Sequence, residues 1–189
     1  MTTPTNIYLQ LERLDACSKA LNWVQDTTDS HENCSSQDLW YLCHRGDWML
    51  WLLAQTKNTP RQSLVLAGAR CAGLVVHLMT DERSRVAVAV AKRYGLGLAT
   101  KEELANVANA ANAAYAAVAT GSAEAAVSAA IAAAAAAAAN AEAAAVSAAN
   151  AAANAANAST YAATYAAAKN SILLQCANIV RTIFPNSPL

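Results

Sequence analysis

Apolar residues in the first hundred positions recur at helical spacing rather than in alternation. Leu11, Leu14, Leu21 and Val24 stripe a helix from about residue 8 to 25, and Asp26–Asn33 reads as a polar loop. Ser36 caps a short helix carrying Leu39, Trp40 and Cys43. His44-Arg45-Gly46 breaks it, and Asp47 caps the next, Trp48-Met49-Leu50-Trp51-Leu52-Leu53. Thr59-Pro60 starts another, because the missing proline N–H costs nothing in a first turn; this helix is predicted to run to Met79. Thr80 or Asp81 caps its successor, which ends at Tyr94-Gly95 with the glycine left-handed. Val86, Val88 and Val90 alternate with alanine, a strand-like pattern. Helix-end signals on both flanks favour a helix there.

The pattern changes near Thr100. Thr100-Lys101-Glu102-Glu103 is a capping box, with threonine at the cap and glutamate three residues later. It opens an alanine-rich tract broken firmly at Thr120-Gly121-Ser122 and more weakly at Ala158-Ser159-Thr160. Helices are predicted over 101–119, 122–157 and 160–183, the middle one roughly 50 Å long. Alanine favours helix because it loses no side-chain entropy, and its small side chain lets helix axes approach to about 8 Å. Tyr115, Val118, Val127, Ile131, Val146, Tyr161 and Tyr165 supply sparse larger knobs. Asn106, Asn109 and Asn112 lie three apart, as do Asn154 and Asn157; they read as a solvated stripe in place of charges.

Composition sharpens the division. Of 189 residues, 50 are alanine, and 39 of those fall between Ala105 and Ala168. That stretch holds only two charges, Glu124 and Glu142. Residues 1–99 hold all four tryptophans and ten of the 13 basic residues. The domain reading is a Trp/Arg-rich helical region over 1–99, an alanine-rich helical region over 100–185 packed with it as one compact unit, and a tail over 186–189. The fold class is all-α: a bundle of short N-terminal helices plus long, closely packed alanine-rich helices. Methyl surface on more than one face, with almost no charge to repel a second copy, predicts a homo-oligomer, most simply a two-fold dimer.

Thirteen basic residues balance thirteen acidic ones, for zero net charge. That argues against broad electrostatic binding of nucleic acid or anionic membrane. The uncharged run Ala125–Ala139 has 15 residues, mostly methyl groups, whereas a bilayer span needs roughly 20 strongly apolar ones. No signal-peptide pattern opens the chain. The five cysteines, Cys17, Cys34, Cys43, Cys71 and Cys176, show no C-x-x-C or Cys/His metal spacing. A reduced, cytoplasmic setting without metal or cofactor is expected.

Candidate chemistry concentrates before Thr100. Arg45-Gly46-Asp47 spells an adhesion tripeptide, but a helix follows at once. It reads better as a turn with Arg45 available to a carboxylate. Trp40, Trp48 and Trp51 are core by default, and hot spots for a partner wherever exposed. His77, Asp81, Glu82, Arg83 and Arg85 gather at a helix junction. One histidine and two adjacent acids are too little for catalysis, which needs a nucleophile or metal set in matched geometry. Arg83 and Arg85, with Arg45 or Arg70, could instead hold an anion. No P-loop, G-x-G-x-x-G, H-E-x-x-H or G-x-S-x-G occurs. Threonines lack the 11-residue repeat of alanine-rich ice binders. The ligand- or partner-binding candidates are therefore Arg45, Asp47, Trp48, Trp51, Arg70, His77, Arg83 and Arg85, with no catalytic residue.

The segments "LDACSKALNWV", "CHRGDWMLWLL", "ARCAGLVVHLMTDERSRVAVAVAKRYGLGLATKEEL", an alanine tract with Asn and Tyr, and "LLQCANIVRTIFP" follow one another from Leu14 to Pro185. In this order they resemble a group of phage and prophage proteins similar to the immunity-protein family of bacterial polymorphic-toxin systems. The resemblance implies an all-helical, non-enzymatic binding protein that neutralises a toxin or host defence effector. In that family the alanine tract often carries aspartates where Asn140, Asn150 and Asn154 stand here, so this tract is less acidic. Two other functions compete: a sponge that sequesters an anionic signalling nucleotide, and an oligomeric assembly protein. A pocket with converging arginines and a tryptophan would favour the sponge, and a flat exposed aromatic patch the inhibitor.

Overall fold

The computed structural model describes residues 4–31, 33–74, 76–78, 82–107 and 162–189. Among them the regular structure is helical, with no strand. In order they form α1 (Pro4–Arg13), α2 (Ser18–Ser30), α3 (Ser36–Leu42), α4 (Gly46–Gln55), α5 (Arg61–Gly73), a 3-10 turn (Val76–Leu78), α6 (Glu82–Gly95) and α7 (Ala162–Ile183). Residues 101–107 are also helical. The predicted long alanine helix, the Gly121 break and the paired alanine faces lie outside the described residues. No helix among the described residues is long and apolar enough to cross a membrane.

The chain divides into two compact units: Met1–Cys43 with Phe184–Leu189, and His44–Ile183. The compositional boundary near Thr100 falls inside the second.

In the first unit, the predicted 8–25 helix is two helices. Asp15 is left-handed, with φ 62°. It closes α1 as a Schellman turn, in which Asp15 N donates to Glu12 O and Ala16 N to Leu11 O, both at 3.0 Å. Aspartate tolerates this conformation better than most residues, which is why no glycine marks the break. The expected loop after Asp26 is helical as far as Ser30. The cap of α3 is Ser35 rather than Ser36, in a complete capping box. Ser35 N donates to Asp38 Oδ2 at 2.9 Å, and Asp38 N donates to Ser35 Oγ at 3.1 Å. Buried Trp40 donates its Nε1–H to Phe184 O at 2.9 Å. Gln37 accepts from Ser187 N at 2.8 Å, so α3 holds the C-terminal segment.

This capping box gives a pH prediction. Hydrogen bonds from the Ser35 side chain and backbone hold the Asp38 carboxyl below its ordinary value. A carboxyl depressed in the folded state adds stability above its unfolded pKa and loses it as pH falls through the folded one. In an NMR titration, Asp38 should therefore protonate at lower pH than an aspartate in a blocked peptide. Ser35→Ala, which removes the hydroxyl and keeps the backbone N–H donor, should narrow the gap between the two midpoints.

In the second unit, α6 confirms helix over strand. Ala87, Val88, Ala91 and Tyr94 are buried while Val86 is exposed, a stripe at helical spacing. Tyr94, Ala91, Val65, Ala69 and Leu104 form one core cluster. Leu104 is placed there by the predicted capping box: Thr100 N donates to Glu103 Oε2 at 2.7 Å, and Glu103 N to Thr100 Oγ1 at 3.1 Å. On α7, Leu173, Cys176, Ala177 and Val180 are buried at spacings of three and four and pack towards α4 and α5.

Three helix ends in this unit depart from expectation. Helix α5 stops at Gly73 instead of Met79. The left-handed glycine after α6 is Gly97, at φ 74°, and not Gly95. Gly97 N donates to Tyr94 O and Leu98 N to Arg93 O, a second Schellman turn. Helix α4 begins at Gly46, so Asp47 is not its cap.

Both Gly46 and Gly95 serve close approach. A Cβ on Gly46 would strike Cys176 Cβ and lie 2.5 Å from Ala177 N. One on Gly95 would lie 2.5 Å from Leu66 Cβ and 2.8 Å from Leu66 Cα. Beside the Gly46 contact, Cys71 of α5 and Cys176 of α7 are fully buried. Their mutual hydrogen bond, together with burial, pushes the Cys71 thiol well above its ordinary range. This thiol is protonated at neutral pH and packs as a small apolar group.

Candidate functional site

The candidate residues separate into two constellations of the second unit, with His77 and Arg83 in neither. The first is local. Arg45, just before α4, turns its guanidinium onto Asp47: Nε donates to Oδ1 at 2.8 Å and Nη2 to Oδ2 at 2.5 Å. The same guanidinium lies 4.2 Å from the centroid of the Trp48 ring. Asp47 is only 4% exposed. The tripeptide is thus folded on itself, with its two charges facing each other and glycine between them seated on α7. Trp48 and Trp51 are half-buried. The arrangement secures the first turn of α4 and presents no extended recognition loop.

Asp47→Ala removes the bidentate acceptor of a partly buried guanidinium. Because Arg45 keeps some solvent access, the expected loss is about 1–2 kcal/mol. Urea unfolding of Asp47→Ala, Arg45→Ala and the double variant checks it. The double variant should cost less than the two single changes added together.

The second constellation lies between α5 and α6. A cleft of about 350 Å3 is lined by Ala69, Arg70 and Gly73 of α5, Leu74 and Val76 just beyond it, and Arg85, Val88, Ala89 and Lys92 of α6. Three cations therefore stand around a floor made of aliphatic side chains. Among the described residues, no carboxylate lines it. Arg85 also meets Glu82, one turn earlier, at 3.5 Å; both side chains are well exposed, so that pair is weak.

Of Arg45, Arg70, Arg83 and Arg85, the arginines the sequence offers as anion ligands, the fold brings Arg70 and Arg85 to one cleft. Arg45 and Arg83 are not among its lining residues, and His77 is exposed on the 3-10 turn. Lys92 was missed. Its signal is spacing: seven residues after Arg85, two helical turns, it falls on the same face.

The arrangement can attract and orient an anion, and it can cover an apolar body. Among its described lining residues there is no serine, cysteine, histidine or carboxylate. Among the described residues, no group of three or more His, Cys, Asp or Glu side chains could hold a metal ion. Comparison with known proteins gives no family model that matches the chain, and no match among curated proteins or solved structures.

Proposed function

We propose that the chain is a non-enzymatic binding protein that sequesters a small anion in the α5–α6 cleft. The observation that carries this reading is the set of Arg70, Arg85 and Lys92 around one cleft with no carboxylate among its described lining residues. Two helices packed through a shared core fix the backbone positions of the cations before capture. The alanine-rich tract belongs to the same proposal as a closely packed helical body through which two copies pair.

Thermal unfolding against a panel of phosphates, phosphate monoesters, carboxylates and nucleotides tests the reading. A ligand at a hundred times its Kd stabilises by about 2.7 kcal/mol, a rise in Tm of roughly 5–10 °C for a chain of this size. Arg70→Ala combined with Lys92→Ala should remove that rise while leaving the unliganded Tm nearly unchanged. If no anion moves the wild-type Tm, the reading falls.

A second reading, inhibition of a toxin or defence effector, has its own support in the first unit. Tyr41 and Leu42, adjacent at the end of α3, are 58% and 46% exposed. Tyrosine is a frequent anchor of protein interfaces. Loss of partner capture in Tyr41→Ala, with anion binding intact, would favour this reading.

A further inference from the structure

The cleft also carries information on what kind of anion it takes. Nucleotide sites stack the base on an aromatic ring or an arginine plane and read its edges with amides, carboxylates or hydroxyls. Among the described residues the non-cationic lining here is Ala69, Gly73, Leu74, Val76, Val88 and Ala89. None is aromatic, and none has a polar side-chain atom. A base pressed onto this floor would leave its ring nitrogens and exocyclic groups without partners, which is unfavourable. An aliphatic chain loses nothing there and gains by leaving water.

The charge narrows the head group. Arg70, Arg85 and Lys92 face one neighbouring carboxylate, Glu82 on Arg85, among the described residues. Among the described residues the surplus is two positive charges. A phosphate monoester carries about −1.5 to −2 at neutral pH, a closer match than a carboxylate. Arginine forks further suit its several acceptor oxygens.

Resting on the anion-binding reading above, we infer that the α5–α6 cleft binds a single-chain aliphatic phosphate monoester as a free molecule, with its chain along the α5–α6 floor and its phosphate between the cations. Gly73 offers a way to separate chain from charge. A Cβ there meets nothing within 4 Å, and its φ is not in the left-handed region. A larger residue at this position can occupy the cleft without straining the backbone.

Isothermal titration of the full chain with octyl phosphate, inorganic phosphate and adenosine monophosphate, below the micellar range of the amphiphile, tests the inference. Octyl phosphate should bind about tenfold or more tighter than inorganic phosphate, through burial of its methylenes. Adenosine monophosphate should bind no tighter than inorganic phosphate. Gly73→Leu should abolish the advantage of the octyl chain and leave inorganic phosphate within about twofold, since the cations remain. Arg70→Ala should weaken all three ligands. Circular dichroism and Tm establish that both variants are folded.

If adenosine monophosphate binds as tightly as octyl phosphate, the aliphatic specificity is overturned while the anion-binding reading stands. If none of the three binds, both fall. Octyl phosphate binding unchanged in folded Gly73→Leu and Arg70→Ala would place the ligand elsewhere and also overturn the inference. A final arm distinguishes the source of the phosphate. Sedimentation with phosphatidic acid in phosphatidylcholine vesicles, without binding of soluble octyl phosphate, would assign the surface to a membrane and overturn the free-ligand proposal.

Discussion

Gly46→Ala lowers the stability of the second unit by about 3 kcal/mol or more, at the upper end of overpacking effects. The added methyl would meet Cys176 Cβ, the backbone nitrogen of Ala177 at 2.5 Å and the carbonyl carbon of Cys176 at 2.6 Å. Backbone atoms cannot rotate away as a flexible side chain can. Relief therefore requires separating α4 from α7, and both Cys176 and Ala177 are fully buried in that seam. Helices packed this closely gain contact along their whole crossing, so a small separation weakens many contacts at once. Guanidinium unfolding checks the prediction, with Gly73→Ala as the control. That change puts a methyl into open space at an ordinary φ and should be neutral or stabilising by about 0.5 kcal/mol. If the two variants unfold at similar midpoints, α4 and α7 do not approach at Gly46.

The role of Gly46 was not legible in the sequence, where it reads as a helix breaker between two short apolar runs. Its reason lies in α7, about 130 positions along the chain, and no local pattern records a contact over that separation. Signals that depend on near neighbours fared better. The Thr100–Glu103 box formed with both of its hydrogen bonds. Helical spacing in α6 outweighed the valine alternation, because Val88, Ala91 and Tyr94 all reach the core. The end of α1 carries no usual sequence signal, because aspartate stands where glycine usually marks the turn.

The site divides in the same way. Arg70 and Arg85 were identifiable as cations on neighbouring helices. Which other cations join them is a matter of helical phase. Lys92 is two full turns from Arg85 and shares its face. Arg83, two residues away, points about 160–200° around the helix, and it does not line the cleft. The aliphatic floor was invisible beforehand, since alanine, valine and leucine on paired helices read as ordinary core until the helices are placed.

Gly95→Ala tests whether the packing that closes α5 against α6 also shapes the cleft between them. Gly95 resembles a cap in sequence, but the left-handed position belongs to Gly97, and Gly95 instead faces the backbone of Leu66. An added Cβ would come within 2.5 Å of Leu66 Cβ, 2.8 Å of its Cα and 2.9 Å of its nitrogen. Tyr94, the adjoining residue, sits in the core with Val65, so neither helix can shift alone without disturbing that cluster. The expected loss is about 2–3 kcal/mol, again by overpacking against backbone. Ligand binding supplies a second readout. Moving α6 off α5 separates Arg85 and Lys92 from Arg70, and a cleft that depends on all three should lose octyl phosphate affinity. Arg70→Ala, by contrast, should lose affinity with little change in stability, and Gly46→Ala, measured at a temperature where it remains folded, should keep the affinity because its clash lies at α4 and α7. Full retention of octyl phosphate affinity in a destabilised Gly95→Ala would mean that the cations do not act together across the two helices.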